Sequence, residues 1–544
     1  MRTRRGAVAA SAFAVAATLV ASCGVAGGAP ADDRGPASGD PATLVYGHQQ
    51  EPPCVYGGWV EQAYLSYQVI DNLVALDDDG TVVPWLADSW SVDDAGTTWT
   101  LQLREGPTFS DGTPVDAEAV AYNVEYWLGG GNSTAFAWIG EYVASAQAQD
   151  DRTVTVHLHR PYPRFVENLS QPYFGIQSRH ALETRTAQEN CSAPIGSGPF
   201  TVTEWNRGLN IVLDRRGDYD WPPANAEHSG PARLERIDWR FVTDPTTRTA
   251  ALRSGEVDAI YDVQAFEWDN LDSEGYELQK YVTGGRPQQI SFNTVRGPFT
   301  DERVRKAFAY SLDRQSVVES VGMGVIPYEG NGPMSEATPA YSTEAAERYS
   351  QDLGRAAALL DEAGWVLGDD GVRTKDGRPL DIVFPYAINR TINQDGSAIV
   401  QALQTQAEAV GFRVELIPYP PSEAASGVWS KPDTYDLTIG YWTALGPGIL
   451  HVNWRQNLEE TPNPANSAFY NDPELEAIIL AANSEPDVER QSELYRQAQV
   501  YIADRALSIG VYARLSTLAI APSLAGVRQE RSQGGPVFYD AHFD

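Results

Sequence analysis

The sequence predicts a mixed α/β protein in which a β-rich first part precedes an α/β second part and the chain ends on β structure. Short strand-like runs between turn signals fill the first quarter. Helix–glycine–strand units follow in the second half, and a strand-like run, Ile509–Tyr512, comes after the last helices. The 544 residues contain 73 Asp and Glu against 40 Lys and Arg. Because nucleic acids bind basic surfaces, this acidic balance argues against a nucleic-acid partner.

The N-terminus has the pattern of an export signal. A basic start, MRTRR, precedes the apolar stretch Gly6–Val20, which is shorter than the roughly 20 residues that a bilayer-spanning helix needs. The next residues, Val20–Gly24, resemble a bacterial lipobox, in which Cys23 becomes lipidated. We therefore predict a signal peptide over residues 1–22 and a lipid-anchored flexible tether over residues 23–42. Ordinary signal cleavage beside an incidental cysteine is the alternative.

Turn and capping signals place elements in the first part. Asp79-Gly80 lies between apolar runs, as in a β-hairpin turn, and Trp99–Leu103 alternates like a half-buried strand. A helix is predicted to begin near Asp116, whose carboxylate suits an N-cap. The run Asp77–Gly80 lacks the glutamate that closes a calcium-binding loop, so we interpret it as a turn.

Helical periodicity dominates the second half. Apolar residues at helical spacing predict one helix over Asp301–Val318, and a second helix is predicted to end at Gly364. A third helix carries an apolar stripe within Val400–Val410. Gly411 then supplies a left-handed residue, and the residues after it alternate as a strand.

No motif in the sequence indicates a resident metal or cofactor. There is no C-x-x-C, no H-E-x-x-H and no phosphate-binding glycine loop with a lysine, and Ser197 does not lie in a G-x-S-x-G nucleophile elbow. We expect no metal and no cofactor. Because many carboxylates are available for pairing, a secreted glycoside hydrolase is the enzymatic alternative. Cys54 and Cys191 form either a disulfide, which we favour in an exported protein, or two free buried thiols.

Four blocks occur in an order that covers nearly the whole chain after the signal. They are Val83–Trp127, Pro194–Trp205 with PIGSGPFTVTEW, Ala251–Ile260 with ALRSGEVDAI, and Phe292–Val321. Together they resemble the bacterial extracellular solute-binding proteins of family 5, the oligopeptide, dipeptide and nickel-chelate receptors of ABC importers. The predicted lipidation signal agrees with an anchored receptor.

This resemblance implies an α/β, two-lobed periplasmic-binding-protein-like fold (type II, large class) with mixed sheets, a two-strand hinge and a ligand cleft between the lobes. Residues 43–284 are predicted to form the N-terminal part of lobe I, residues 285–508 lobe II, and residues 509–544 the C-terminal return to lobe I. The crossing strands are expected near Thr283–Ile290 and Ser508–Tyr512. A ligand bound between the lobes shifts the population towards a closed form.

The resemblance also implies where a ligand binds. The loop after the first strand borders the cleft in relatives, and here it is rich in aromatic residues and glycine; Cys54 would fix its shape if bridged. The strand Tyr435–Gly440 is expected to end at the cleft. Aromatic walls stack on flat ligand groups, and a few polar groups fix the ligand's orientation. The predicted ligand contacts are Gln49, Glu51, Tyr56, Trp59, Asn293, Tyr441, Trp442, Thr443 and Tyr512.

One departure from the family pattern bears on the ligand. Peptide-binding relatives place an aspartate shortly after the strand that corresponds to Tyr435–Gly440, and it pairs with the free amine of the peptide. Residues 441–448 contain no carboxylate here. Because a buried ammonium without a counter-charge is costly, either another acid such as Glu51 takes this role or the ligand is not a free-amine peptide.

The predicted function is that of a substrate-binding lipoprotein of an ABC importer, which captures a peptide or peptide-like small solute and delivers it to the permease. A non-peptide ligand, such as a metal chelate, an oligosaccharide or another small metabolite, is the first alternative, and the glycoside hydrolase is the second. The expected partners are the solute, the ABC permease subunits and, through the lipid anchor, the extracytoplasmic face of the cell membrane. The chain is expected to act as a monomer.

Overall fold

The structure, a computed structural model, describes residues 35–424 and 426–544. The predicted signal peptide, residues 1–22, and the predicted lipidation site Cys23 lie outside the described residues. Of the predicted tether, residues 35–42 are described, and the backbone N–H of Ala37 donates to a carboxylate oxygen of Asp258 at 2.6 Å.

The strands of the described residues are short and numerous. In chain order they are β1 Thr43–His48, β2 Val74–Leu76, β3 Val82–Pro84, β4 Ala87–Val92, β5 Thr98–Leu103, β6 Val143–Ala148, β7 Thr153–Leu158, β8 Phe200–Asn206, β9 Asn210–Arg215, β10 Arg236–Phe241, β11 Ala259–Tyr261, β12 Glu277–Val282, β13 Gly285–Phe292, β14 Val366–Leu367, β15 Arg373–Lys375, β16 Arg378–Pro379, β17 Asp381–Ala387, β18 Arg413–Tyr419, β19 Leu437–Thr443, β20 Ser508–Tyr512, β21 Leu515–Ile520, β22 Leu524–Ala525, β23 Arg528–Gln529, β24 Pro536–Val537 and β25 His542–Phe543.

The helices are distributed among the strands along the described chain. They are α1 Val60–Ser66, α2 Ala117–Leu128, α3 Ser133–Ile139, α4 Phe165–Asn168, α5 Arg179–Thr184, α6 Ala187–Ser192, α7 Pro245–Ser254, α8 Trp268–Ser273, α9 Glu302–Ser311, α10 Arg314–Gly322, α11 Thr343–Ala346, α12 Leu353–Glu362, α13 Gln394–Glu408, α14 Pro421–Ala424, α15 Ile449–Trp454, α16 Pro473–Ser484 and α17 Val488–Asp504, with short 3₁₀ turns at Pro172–Phe174, Ala265–Glu267, Gly297–Thr300 and Val428–Ser430. Within the two described ranges, no helix has the length and apolar character to cross a membrane.

A seven-stranded mixed sheet, ordered β12-β21-β11-β1-β10-β9-β8, organises the first part of the chain. Strand β1 runs parallel to β10 and β11, and β21 inserts antiparallel between β11 and β12. Because β21 follows every helix in the sequence, the chain returns at its end to the sheet in which it begins. The predicted C-terminal return to β structure is confirmed.

A separate three-stranded sheet, which we call the hinge sheet, has the order β19-β13-β20. Strand β13 pairs antiparallel with both neighbours, so that Ile290 lies opposite Ile439 on one side and Ile509 on the other. Both β13 and β20 are buried over almost their whole length. The crossings expected near Thr283–Ile290 and Ser508–Tyr512 therefore lie side by side as paired strands.

Hydrophobic side chains form two large cores. The first combines residues 44–261 with residues from the C-terminal strands, and the second lies within residues 265–439 and 506–512. Side chains of α15, α16 and α17 also belong to the first core, and His451 Nε2 lies 3.0 Å from a carboxylate oxygen of Glu141. Helices from the segment predicted as lobe II thus contact the core of the segment predicted as lobe I.

Several local predictions are confirmed. Strands β2 and β3 pair around the turn at Asp79-Gly80, and β5 alternates in burial as expected. The Asp116 carboxylate accepts from the backbone N–H of Ala119 and caps α2. Gly364 and Gly411 both have left-handed φ, at 87° and 103°, after helices α12 and α13.

The helix predicted over Asp301–Val318 is wrong in its extent. The structure has two helices there, α9 and α10, separated at Leu312, which has extended backbone angles. Asp313 explains the break, because its carboxylate accepts from the backbone N–H of Ser316 and so begins a new helix. The apolar periodicity continues across the break and conceals it in the sequence.

Candidate functional site

The hinge sheet brings Arg286 and Trp442 to paired positions on β13 and β19, next to a bulge that precedes Gln289. Gly285 has a left-handed φ of 100°, and a Cβ atom there would collide with the carbonyl oxygen of Trp442. Only glycine fits this close approach, so Gly285 lets β13 and β19 pair at the edge of a cavity. Arg286 and Trp442 both line that cavity.

This cavity, which we call the cleft, has a volume of about 550 Å³ and is lined from both parts of the chain. Residues 58–62, 133–134 and 173 form one side, while Arg286 and Ser291 of β13 and residues between positions 390 and 467 form the other. The volume is typical of sites for small molecules. Aromatic side chains supply much of the wall: Trp59, Tyr173, Tyr419, Trp429, Tyr435, Tyr441 and Trp442.

Two guanidinium groups line the cleft. Arg286 donates to Asn453 Oδ1 at 2.7 Å and to the carbonyl oxygen of Tyr441 at 3.3 Å. Burial lowers the pKa of Arg286 to about 10, so this side chain remains cationic at neutral pH. The Arg390 guanidinium lies 4.2 Å from the centre of the Trp59 ring, an attractive cation–π contact between the two sides of the cleft.

One carboxylate, that of Glu61, lines the cleft. Glu61 is 3% exposed, and its carboxylate accepts a long hydrogen bond from Gln49 Nε2 at 3.4 Å; the Gln50 side chain and its own backbone N–H also stabilise the charged form. Burial raises the pKa of Glu61, while the positive charges of Arg514 and Arg390 act in the opposite direction. Among the described residues, Glu61 forms no ion pair, and Arg514 and Arg390 act on it without such contact.

A second, smaller cavity of about 50 Å³ lies on the other side of Tyr441, which lines both. Its polar walls include Asp262, Asp395 and Tyr512. The Tyr512 hydroxyl is buried and has no hydrogen-bond partner among the described protein groups. Arg514, which lines the smaller cavity, lies 4.6 Å from the Tyr441 ring centre. Burial raises the pKa of Tyr441 to about 12, so the phenol stays neutral.

A disulfide holds the loop that leads into the cleft. Cys54 and Cys191 are bonded, with their Cα atoms 4.7 Å apart, and the backbone N–H of Val55 donates to the Cys191 carbonyl at 2.9 Å. The Gln62 side chain then accepts from the backbone N–H of Trp59 at 3.0 Å, at the start of α1. These contacts fix the backbone just before the helix that carries Glu61.

Six of the nine predicted contacts line a cavity. Trp59, Trp442 and Thr443 line the cleft, Gln49 and Tyr512 line the smaller cavity, and Tyr441 lines both. The Thr443 hydroxyl is hydrogen-bonded to Gln533 and is therefore already partnered.

Glu51 lines neither of these cavities. Its carboxylate accepts from Trp205 Nε1 at 2.7 Å and from the backbone N–H of Gly208 at 3.1 Å, and Arg207 lies 3.5 Å away. These partners belong to the β8–β9 hairpin, so Glu51 attaches the loop after β1 to that hairpin. The structure does not bring it to a position in which it faces a ligand in the cleft.

Tyr56 and Asn293 line neither cavity either, and their side chains form hydrogen bonds within the fold. The Tyr56 hydroxyl donates to the Tyr173 carbonyl at 2.6 Å and accepts from Trp127 Nε1 at 3.2 Å. Burial raises the pKa of Tyr56. The Asn293 amide donates to the carbonyl of Tyr435 at 2.8 Å, which fixes the segment before β19.

The charged residues of the cleft were absent from the sequence-based prediction. Arg286 is the one charged residue of the predicted crossing Thr283–Ile290, and that is a signal that the sequence contains. Glu61 and Arg390 carry no such signal, because one lies in a short helix and the other in the turn after β17. Only the folded chain shows that they face the same cavity.

Comparisons with known proteins agree with this geometry. The family model described as "Bacterial extracellular solute-binding proteins, family 5 Middle" matches residues 81–450. The glutathione-binding protein GsiB of Salmonella typhi is 27% identical over 441 residues, which cover 79% of this chain and 80% of that protein.

Two solved structures are similar over nearly the whole chain. The oligopeptide-binding protein AppA of Bacillus subtilis, in complex with a nonapeptide, is 20% identical, with a TM-score of 0.79 over 92% of this chain and 99% of AppA. NikA of Brucella suis, in complex with Fe(III)-EDTA, is 23% identical, with a TM-score of 0.77 over 92% of this chain and 100% of NikA. The predicted two-lobed fold class is confirmed. The chain belongs to the bacterial extracellular solute-binding proteins of family 5.

Proposed function

We propose that this protein is the substrate-binding receptor of an ABC importer and that it captures a peptide or peptide-like small solute in the cleft. The observation that supports this most directly is the cavity of about 550 Å³ at the hinge sheet, which has aromatic walls and charged groups on both sides. Such a site holds a flat or apolar body by stacking and fixes the polar ends of a solute.

Closure of two lobes gives the receptor its mechanism. Lobe I is taken as residues 43–284 and 509–544, and lobe II as residues 285–508. The pairing of β21 with β11 and β12 supports the assignment of the C-terminal segment to lobe I, and the separate core that contains the hinge sheet supports lobe II. A solute that contacts both lobes binds the closed form more tightly than the open form and so shifts the population towards it.

The proposed receptor does not transform its ligand. A glycoside hydrolase of the usual kind needs two carboxyl groups on either side of the scissile bond. Among the residues that line the cleft in the described part of the chain, Glu61 is the one carboxylate. The family consists of solute-binding receptors, which agrees with capture and release of an unchanged solute.

A non-peptide solute is the second candidate. Residues 441–448 contain no carboxylate to pair with a peptide amine. NikA of Brucella suis holds Fe(III)-EDTA on a similar fold, so a metal chelate with several carboxylates is compatible with the two guanidinium groups of the cleft.

The receptor is further proposed to be a monomeric lipoprotein, anchored through Cys23 on the extracytoplasmic face of the membrane beside its permease. The support is the basic and apolar N-terminus followed by Val20–Gly24. A Cys23→Ala variant should appear in the soluble fraction of cells that express it, whereas the unaltered protein should sediment with the membrane.

A thermal-shift screen with peptides, metal chelates, sugars and amino acids tests the proposed function. Because a ligand that binds only the folded chain stabilises it by mass action, a true solute should raise the unfolding temperature in proportion to the logarithm of its concentration. Failure of every class of solute to shift the transition would contradict the proposal. Conversion of a solute during the incubation would favour a hydrolase.

A further inference from the structure

Glu61 has the features of an unsatisfied ligand-binding group. It lies in the first turn of α1, is 3% exposed and faces the cleft, and its hydrogen-bond partners, the Gln49 and Gln50 side chains and its own backbone N–H, are all uncharged. A carboxylate in such a place is costly unless a positive charge or several donors compensate it. Arg514 and Arg390 act on it without forming an ion pair, so an ammonium group bound in the cleft would be the direct ion-pair partner of this carboxylate.

The aromatic walls of the cleft already stabilise cations. The Arg390 guanidinium lies 4.2 Å from the Trp59 ring centre, and that of Arg514 lies 4.6 Å from the Tyr441 ring centre. The end of β19, by contrast, offers an ammonium group no charge, because Thr443 is bonded to Gln533 and residues 444–448 contain no acid.

The other charged groups of the cleft are both positive. Arg390 forms no ion pair among the described residues, and its guanidinium rests on the Trp59 ring. The two Nη atoms of Arg286 donate hydrogen bonds to Asn453 and to the carbonyl oxygen of Tyr441, while its Nε has no partner among the described protein groups. With Glu61, the lining therefore has one negative and two positive groups.

From these charges we infer that the solute is a small amino-acid or peptide derivative with one free amino group and two carboxylates, whose ammonium binds Glu61 and whose carboxylates bind Arg390 and Arg286. This inference rests on the proposed function. It also assigns recognition of the amine to helix α1 instead of to the end of β19. A guanidinium matches the geometry of a carboxylate with two parallel hydrogen bonds, which favours this arrangement.

The test compares ligands that differ only in the amino group. Reduced glutathione and alanyl-glutamate each carry one ammonium and two carboxylates, and the N-acetyl form of each lacks the positive charge. Isothermal titration calorimetry with the full chain after the signal, freed of bound solute, should show binding of at least one of the two, and at least tenfold weaker binding of its N-acetyl form.

A Glu61→Gln variant tests the assigned residue, because glutamine keeps the shape and removes the charge. It should weaken binding of the free-amine ligand at least tenfold and leave binding of the N-acetyl ligand unchanged. Asp71→Asn is the matched control, since it also removes a buried carboxylate but lines neither cavity; it should bind like the unaltered protein. If Glu61→Gln does not fold, as judged by circular dichroism, Glu61→Asp should retain the preference for the free amine.

The outcomes separate this inference from the proposed function. Equal binding of free and N-acetyl ligands by the unaltered protein would overturn the inference, as would unchanged binding of the free amine by Glu61→Gln. If neither free-amine compound binds but a chelate or a sugar does, the inference is wrong and the receptor function stands. If no solute of any class binds, both are wrong.

Discussion

Asp71 is a buried acid whose ionisation the fold opposes. It is 0% exposed, accepts from Trp221 Nε1 at 3.0 Å, and lies 3.4 Å from the Tyr219 hydroxyl. Burial raises the pKa of Asp71 to about 7 from the ordinary value of 3.8. The folded chain therefore holds this proton more tightly than the unfolded chain, and stability falls as the pH rises between about 4 and 7.

We predict that Asp71→Asn makes stability less dependent on pH. Because the neutral amide cannot ionise, the drop in the free energy of unfolding between pH 5 and pH 8 should be smaller by about 2–3 kcal/mol than in the unaltered protein. Urea unfolding at the two pH values measures the difference. An identical drop in both proteins would mean that Asp71 ionises without cost.

Arg390 is predicted to bind an anionic end of the solute. Arg390→Gln should lower the affinity by about tenfold to a hundredfold, because a hydrogen bond between charged groups contributes about 1.5–3 kcal/mol. Arg413→Gln is the control, since Arg413 lies on the same part of the chain and pairs with Asp381 at the surface. Equal affinities of the two variants, measured by calorimetry, would contradict the role of Arg390.

At the scale of elements, the disulfide determines how firmly the loop before α1 is held. Cys54 and Cys191 are separated by 137 residues. In the chain-entropy account, a crosslink over a loop of about 100 residues stabilises by nearly 5 kcal/mol, and removal of native disulfides typically costs 2–5 kcal/mol.

Replacement of both Cys54 and Cys191 by serine should therefore lower the free energy of unfolding by about 2–5 kcal/mol. It should also weaken solute binding, because the loop that ends at Trp59 loses its attachment. Urea unfolding and calorimetry measure the two effects. Unchanged stability of the double variant would contradict this account. As a control, a reducing agent should destabilise the unaltered protein but not the double variant.

Helix α13 contacts the segment that follows β11, on the other side of the predicted hinge. At the N-terminus of α13, Asn393 Nδ2 donates to Asp262 Oδ1 at 2.9 Å, and Asp395 Oδ2 accepts from the backbone N–H of Ala265 at 3.1 Å. These bonds join segments of the two predicted lobes. They are expected to form when the protein closes on its solute.

Asp395→Ala should consequently weaken solute binding up to tenfold, since the closed form loses a hydrogen bond worth about 1 kcal/mol while the cleft keeps its lining residues. Asp381→Ala, which removes an exposed acid from the same part of the chain, should bind normally. If both variants bind equally well, the contact with Ala265 does not contribute to closure.

At the scale of the whole molecule, the sequence predicts the architecture better than the site. Local patterns such as Asp116 before α2 and Gly411 after α13 depend on neighbours in the chain, and they predict boundaries well. The helix predicted over Asp301–Val318 is longer than α9 because apolar periodicity does not reveal that Asp313 caps a new helix. The end of the chain on β structure was expected from the order of elements, and its return to lobe I from the family resemblance; the pairing of β21 with β11 appears only in the structure.

The cleft depends on contacts between distant segments, which a single sequence does not contain. Tyr441 and Trp442 were expected at the cleft because they follow the predicted strand Tyr435–Gly440, whose end the family resemblance places there. Glu51 was expected from its place in the loop, but Trp205 is its partner, 154 positions away in the chain. The same limitation explains why Glu61 was missed, although it is close to Trp59 in sequence.

Native mass spectrometry of the protein as purified tests the central claim most directly, because it weighs the folded chain together with any solute it holds. We predict a complex of one chain with one small molecule, and release of that molecule, chemically unchanged, when the protein is denatured. A chain that stays free of bound mass after incubation with every class of solute, or that releases a cleaved product, would contradict the account.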